Sequence, residues 1–241
     1  MKKSKLVLVS SLAISFGLAS ANLYGFRAED LERAKARSKN LQRAKLQRVN
    51  FKKADLQGAN PNFQLANLNE ADLQHAHLMY TDLLMAELEG ANLEGAQLRV
   101  AFLRDANLKN ARMNNADLQR ADLQGAELLG SLLQNANFLL ANVQGADLRQ
   151  ADLSRTNLRY ANLRGANLIN AQLEGAILRD ADLQGTLLQG ANLKKADFTN
   201  AKLNERTDFT NAKLEGATFI GAQGLTNERK ASLKARGAIV E

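Results

Sequence analysis

The sequence contains no cysteine and no tryptophan, and it has a single proline in 241 residues. Without cysteine the chain cannot form a disulfide, a thiolate zinc site, a cysteine nucleophile or a lipoprotein anchor. Aromatic residues make up only 5% of the sequence, which argues against a conventional core built on large rings. Leucine and alanine must therefore supply the packing.

Histidine is almost absent too, because His75 and His77 are the only two. A metal site needs more ligands than this pair, and the carboxylates around it recur with a regular period that needs no metal. Ser131 has no histidine nearby in the pattern to act as its base. The glycines form no phosphate-binding loop. The sequence therefore predicts no catalytic residue, no metal and no cofactor.

The N-terminus has the order of charge, apolar run and small residues that is typical of a secretory signal peptide. Three lysines at residues 2–5 precede an apolar run at 6–18, and Ala-Ser-Ala follows at 19–21. The run is shorter than the roughly 20 residues that span a bilayer. No Arg-Arg pair precedes it, which favours the general secretory route. We expect residues 1–21 to be removed and the mature protein to lie outside the cytoplasm.

The net charge of +7 is unevenly distributed along the chain. Residues 1–21 carry +3 and residues 22–53 carry +7, which leaves −3 for residues 54–241. Residues 27–39 have a helix-forming composition with acids early and bases late, so we predict a capping helix within a basic segment at 22–43. A solvated face is one interpretation of the basic residues, and contact with an anionic membrane surface or an acidic partner is the other. The candidate contact residues are Arg33, Lys35, Arg37, Lys39, Arg43, Lys45, Arg48, Lys52 and Lys53.

The main feature of the sequence is a five-residue period. From Phe63 to Leu203 a large apolar residue stands at every fifth position, which makes 29 units in register. An α-helix would scatter these residues about 140° apart around its axis. In an extended segment the large residue and the alanine two places before it both point inward, while the residue between them points out. Twelve of the sixteen glycines lie two places after the large residue, where a tight turn requires positive φ.

Units such as 106–108, Ala-Asn-Leu, and 181–183, Ala-Asp-Leu, resemble the pentapeptide repeat family over about residues 44–223. The resemblance implies an all-β solenoid, a right-handed quadrilateral β-helix that often has a helical cap. A count of 35 repeat units predicts about nine coils, and the terminal sequences predict short helical caps. Leucine-rich and hexapeptide repeats need other periods. Two register breaks are predicted, with two extra residues at 60–61 and one between Leu203 and Phe209. We expect a C-terminal helical cap or tail at 224–241, in which Thr226 caps a helix that stops near Gly237.

Three functional hypotheses follow from this architecture. The first is an exported scaffold that presents its walls to a protein partner; in cyanobacteria, exported members of the family enter the periplasm or the thylakoid lumen. The second follows from family members that protect DNA gyrase from quinolones through an acidic, DNA-like rod. The rod has a net charge of only −3 and follows a signal peptide, and both features disfavour this second hypothesis. We therefore expect no nucleic-acid partner. The third, an ice-binding surface, needs rows of threonine that the outward positions lack.

A coil of twenty residues predicts one apolar column on the surface. Tyr80, Val100, Leu140 and Tyr160 fall in this column, which only Arg120 interrupts. Such a patch often marks an interface, either a homodimer or a contact with an unidentified protein. Loose drift in a tolerant repeat, or cover by a terminal segment, is the alternative. The full set of candidate interface residues is Met79, Tyr80, Leu84, Met85, Val100, Phe102, Leu139, Leu140 and Tyr160.

Overall fold

The computed structural model describes residues 42–43, 46–47, 51 and 62–241. The expected signal peptide at 1–21, the expected helix at 27–39 and Pro61 lie outside these residues. In the described part, each five-residue unit contributes one isolated parallel β-bridge. The bridging residue pairs with the residue twenty positions further on, from Asn62 with Asp82 to Asp182 with Lys202. Four units therefore complete one coil, and the chain forms a four-sided β-helix.

The four sides of the coil are four walls, which we number in chain order. Wall 1 carries the bridge residues at 62, 82, 102 and every twenty positions onward. Wall 2 follows at 67 and 87, wall 3 at 72 and 92, and wall 4 at 77 and 97. Residues twenty apart therefore stack in columns along each wall and each corner, which sets the surface that the rod presents.

The unit at 106–108 shows how one side of the coil is built. Ala106 and Leu108 are completely buried, and Asn107 between them is partly exposed. The amide of Leu108 donates to the carbonyl of Glu127 at 2.7 Å, and the amide of Asn107 donates to the carbonyl of Ala86 at 2.9 Å. Each unit is thus hydrogen-bonded to the coil above and to the coil below. Burial of the alanine and leucine columns forms one continuous core.

The polar residue of the motif has a role in the corner that follows it. Asn107 Oδ1 accepts a hydrogen bond from the amide of Lys109 at 3.2 Å, as in an Asx turn. The amide of Ala111 then donates to the carbonyl of Leu108 at 3.1 Å, which closes a four-residue β-turn. The third residue of this turn, Asn110, has φ 55°. A turn with positive φ at its third residue favours glycine or asparagine, which explains why glycine recurs at this position.

The first register break is visible in the ladder near the N-terminal end. The amides of Leu46 and Phe51 donate to the carbonyls of Asn67 and Asp72, at 2.7 Å in both cases, so donor and acceptor are 21 residues apart. In the next coil the amide of Phe63 donates to the carbonyl of Asp82, 19 residues away. Two extra residues therefore lie between Phe51 and Phe63, where the sequence predicts the insertion.

The second break lies at one corner between wall 1 and wall 2, where the bridges change from a spacing of twenty to Leu187 with Asp208. Thr207 takes the place of the inward alanine, and its hydroxyl donates to the carbonyl of Leu183 at 2.9 Å. Asn204 Oδ1 accepts from the amide of Gly185 at 2.9 Å. In a regular corner the equivalent amide donates to a backbone carbonyl instead, as Gly165 does to Gln184. Two polar side chains thus complete the hydrogen bonds that the extra residue interrupts.

The last coil ends against one short helix, α1, at Asn227–Ala235. Thr226 accepts from the amide of Arg229 at 3.3 Å at the start of this helix. The guanidinium of Arg229 donates to the carbonyls of Asn204 and Thr207. Arg236 Nη2 donates to two more, Phe209 O at 2.7 Å and Ala212 O at 2.6 Å. No helix in the described residues is long and apolar enough to cross a membrane.

After α1 the chain returns to the β-helix, which the sequence analysis did not foresee. Ile239 bridges to Thr218 on wall 4, and the amide of Phe219 donates to the carbonyl of Ile239 at 2.8 Å. Ala238 and Val240 on either side of Ile239 are buried. Residues 238–240 therefore repeat the inward, outward, inward pattern of a unit, and α1 stands in for the preceding units of that coil.

Candidate interaction surface

The described part of the chain contains both histidines of the sequence. Within it, no three histidine, aspartate or glutamate side chains converge closely enough to hold a metal ion. His77 lies on wall 4, and His75 lies at the corner between walls 3 and 4, above Gly95. The outward residues are mostly amides and charged groups, so the apolar exceptions are the informative ones.

Eight large apolar side chains are exposed in the described residues, and six of them lie on wall 1 or at its two corners. These six are Leu65, Tyr80, Met85, Phe102, Leu140 and Tyr160. Tyr80, Tyr160 and Met85 are the most exposed of them, at 51%, 50% and 49%, and Phe102 follows at 47%. The other two, Ile177 and Ile239, lie on wall 4. Exposed apolar side chains are therefore most frequent on wall 1 and its corners, and three of the six lie at the corner that wall 1 shares with wall 4.

The structure brings the candidate interface residues together on this side. Tyr80, Val100, Arg120, Leu140 and Tyr160 stack at the corner between wall 4 and wall 1, and we refer to these five as the corner column. Phe102 lies on wall 1 itself. The remaining candidates are Met79 and Leu139, half-buried beside the column, and Leu84 and Met85 at the opposite corner, of which Leu84 is half-buried.

All five residues of the corner column have φ between 57° and 61°, in the left-handed region. A side chain in that conformation costs roughly 1–2 kcal/mol per residue unless it is glycine, asparagine or aspartate. At each of the other three corners, four of the five equivalent positions carry one of those residues. The corner column carries none. Sequence reasoning missed this strain, although the lack of glycine, asparagine and aspartate every twenty residues from 80 to 160 would have revealed it.

The charges next to the corner column are partly neutralised. Arg99 and Arg179 pair with Asp117 and Asp197 on the following coil, at 4.0 and 3.9 Å. Within the described residues, Arg120 has no carboxylate partner. Neither has Arg159, whose guanidinium carbon lies 6.0 Å from the centroid of the Tyr160 ring. The corner column thus presents an apolar surface interrupted by the unpaired charge of Arg120, and the unpaired Arg159 lies beside it at the Tyr160 end.

The basic segment lies almost wholly outside the described residues. Arg43 is the one candidate contact residue that the structure describes; it is exposed, and its amide donates to the carbonyl of Gln64 at 2.8 Å. The other candidates in this segment, Arg33, Lys35, Arg37, Lys39, Lys45, Arg48, Lys52 and Lys53, lie outside the described residues. Their contact with an anionic surface stays a prediction.

A cavity of about 440 Å³ lies between α1 and the second register break, with Phe209 and Leu233 among its lining residues. Arg229 and Arg236 also line it, but both guanidiniums are bound to backbone carbonyls. A hydrogen bond from the Thr210 hydroxyl lowers the pKa of Asp208 there, and the Thr210 amide and Gln189 contribute in the same direction. The polar groups of this cavity hold the end of the rod together.

A family model for pentapeptide repeats matches residues 30–60, 62–95, 101–139, 136–175 and 166–204 of the sequence. The chain belongs to the pentapeptide repeat family. Its fold is accordingly the right-handed quadrilateral β-helix of that family. No curated protein matches the sequence significantly.

Solved structures of the pentapeptide repeat family are similar to this chain. HetL, involved in heterocyst differentiation regulation in the cyanobacterium Nostoc sp. strain PCC 7120, is 31% identical over 83% of this chain and 98% of its own, with a TM-score of 0.39. Rfr23 from the cyanobacterium Cyanothece 51142 is 38% identical over 39% of this chain, with a TM-score of 0.38, and the match spans 63% of Rfr23. A protein from the Arabidopsis thaliana thylakoid lumen is 26% identical over 61% of this chain and 80% of its own, with a TM-score of 0.19.

Proposed function

We propose that the protein is an exported, non-catalytic scaffold that binds a protein partner through wall 1 and its two corners. The observation that carries the proposal is that six of the eight large apolar side chains exposed in the described residues lie there. Contiguous exposed apolar area is unusual on a soluble monomer and often marks an interface. The strained bulky residues of the corner column support the same conclusion, because unfavourable backbone conformations are retained mainly where they serve a function.

The N-terminal sequence supports the location of this scaffold. Removal of residues 1–21 by the general secretory route delivers the mature protein to the periplasm, or to the thylakoid lumen in a cyanobacterium. We expect about nine coils there, with α1 at one end; the helix expected at 27–39 stays a prediction. Its basic segment is then available to an anionic membrane surface or an acidic partner. The charge of −3 over residues 54–241 gives no support to mimicry of DNA.

Site-specific photo-crosslinking tests this function in living cells. A photoreactive side chain replaces Phe102 on wall 1 in one variant and Ile177 on wall 4 in the control; these residues are 47% and 37% exposed. We expect the processed, exported protein to give a defined adduct from position 102 and none from position 177. Equal adducts from both positions, or an unprocessed protein that stays in the cytoplasm, would contradict the proposal.

A further inference from the structure

We propose that the corner column binds one amphipathic α-helix of the partner, with a carboxylate of that helix against Arg120. The inference rests on the proposed function, since it takes wall 1 and its corners to be the protein-binding surface. It adds the chemical nature of the partner. Three observations carry it, namely the strain of the column, its spacing and its charge.

The strain shows that the corner column is not a product of folding alone. Folding favours glycine or asparagine at these corner positions, as the other three corners show. Val100 is the extreme case, because a β-branched residue at φ 57° is a genuine outlier. Five consecutive coils nevertheless place bulky side chains outward at one corner. This corner therefore carries side chains that its backbone conformation does not favour.

The spacing of the corner column fits an α-helix better than an extended strand. Neighbouring coils are about 4.8 Å apart, so Tyr80 and Tyr160 are separated by about 19 Å. A helix presents one stripe at i, i+3, i+7, i+11 and i+14, which spans about 21 Å. Five same-face residues of a strand span about 27 Å. The mismatch of about 2 Å with the helix lies within the reach of side chains, whereas the mismatch of about 8 Å with the strand does not.

The charge at the centre of the corner column disfavours a second copy of this chain. In an antiparallel pair centred on the column, Tyr80 would meet Tyr160 and Val100 would meet Leu140. Arg120 would then meet Arg120 of the other copy, and an in-register parallel pair would bring the same two guanidiniums together. Like charges in contact at an interface are strongly unfavourable. The apolar residues of the column therefore fit a different protein better than a second copy. That protein would carry an acidic group opposite Arg120.

No carboxylate of the rod itself neutralises Arg120 among the described residues. Asp117 and Asp122, the nearest aspartates in sequence, pair instead with Arg99 at 4.0 Å and Arg104 at 3.6 Å. The guanidinium of Arg159 adds a second unpaired charge at the Tyr160 end of the column. We therefore expect a partner helix with the order apolar, apolar, acidic, apolar, apolar along its stripe. A further acidic residue near one end would fix its direction.

A display library of helical peptides tests this inference with the full mature protein as bait. The five stripe positions vary freely on a fixed alanine-rich, charged helix. We expect enrichment of peptides with a central acid flanked by apolar residues. For these peptides Arg120→Glu lowers the affinity roughly fivefold, as the loss of one exposed charge pair predicts, and raises it for the same peptides with a central lysine.

Arg155→Glu is the matched control, because Arg155 is also exposed and has φ 58°, against 59° for Arg120, but lies at another corner. Failure to enrich any peptide, enrichment without a central acid, or equal effects of Arg120→Glu and Arg155→Glu would each overturn the inference. So would binding that survives the pair Tyr80→Asp and Leu140→Asp. A defined crosslink from position 102 to a partner without such a helix would leave the scaffold function intact and refute the helix alone.

Discussion

The middle coils and the C-terminal end of the rod satisfy the hydrogen bonds of their backbone in different ways. In the middle, around Leu123 and Leu163, every coil forms the same backbone hydrogen bonds with the coils above and below it. At the end there is no further coil, and individual side chains take over. Arg229 and Arg236 bind the free carbonyls, and Thr207 and Asn204 repair the register break.

The core changes between the same two regions. Leucine dominates the inward columns of the middle coils, whereas Phe198, Phe209 and Phe219 meet at the end. The rings of Phe198 and Phe219 stack at 4.6 Å, and Phe209 lies edge-on to both. Repetition therefore specifies the middle, while single, non-interchangeable residues specify the end. Substitutions should consequently have uniform effects in the middle and individual effects at the end.

The largest effects should come from the inward leucines of the middle coils. Leu123→Ala and Leu163→Ala should each lower the free energy of unfolding by about 2–5 kcal/mol, through lost burial and the cavity that remains. Both residues are completely buried in the same column of wall 1, so urea unfolding should give nearly equal values. Leu233→Ala in α1 should cost less, because the helix can relax toward solvent. Clearly unequal costs for the two middle variants would show that these coils are not equivalent.

Gly224 provides the next largest effect, at the point where the chain leaves the last coil. Its φ is 77°, and an added Cβ would lie 2.0 Å from the carbonyl oxygen of Leu203. Gly224→Ala should therefore cost about 2–4 kcal/mol, since left-handed strain and a backbone clash act together. Gly165→Ala is the control, because its φ is 63° with open space around the new methyl group. Gly165→Ala should lower the free energy of unfolding by about 1 kcal/mol in the same urea titration. Equal losses for the two variants would mean that the backbone near Gly224 shifts freely to relieve the clash.

The regular part of this architecture was predictable because it is periodic. Twenty-residue spacing followed from the five-residue pattern, and Tyr80, Val100, Leu140 and Tyr160 could be placed in one surface column from the sequence. The terminal unit around Ile239 could not be predicted, because α1 interrupts the period before it. Nor could the carbonyl contacts of Arg229 and Arg236, since nothing local in the sequence marks an arginine that reaches across to the last coil.

Arg236, the residue that follows α1, should have an effect confined to the end of the rod. Arg236→Met leaves two carbonyls without their donor and should cost about 1–2 kcal/mol. Hydrogen exchange should accelerate at the amide of Phe219, which is bonded to Ile239, but not at the amide of Leu158 in the middle. Arg159→Met, which removes an exposed arginine with no ion pair in the described residues, should change neither. Faster exchange along the whole rod would show that the end does not open independently.

The smallest effects on stability should come from two aspartates, one in the middle of the rod and one at its end. The pKa of Asp147 in the middle is lowered mainly by hydrogen bonds from the Arg149 side chain, and that of Asp208 at the end mainly by the Thr210 hydroxyl. A lowered folded pKa means that each carboxylate stabilises the fold above its unfolded pKa of about 3.9 and loses that contribution as pH falls through the folded value. Asp147→Asn and Asp208→Asn should each remove less than about 1 kcal/mol at neutral pH.

Salt separates the two cases. Asp147 is held by an exposed ion pair, with Arg149 Nη2 at 2.7 Å from Oδ2, so 1 M NaCl should abolish most of the difference between Asp147→Asn and the parent. Asp208 accepts from neutral donors, the hydroxyl and the amide of Thr210 at 2.6 and 2.8 Å, so its difference should persist in salt. Urea unfolding from pH 3 to 7, with and without salt, measures both. The positive charge of Arg229 also lowers the pKa of Asp208. Equal salt sensitivity of the two variants would mean that Arg229 contributes more to the stabilisation by Asp208 than the Thr210 hydrogen bonds do.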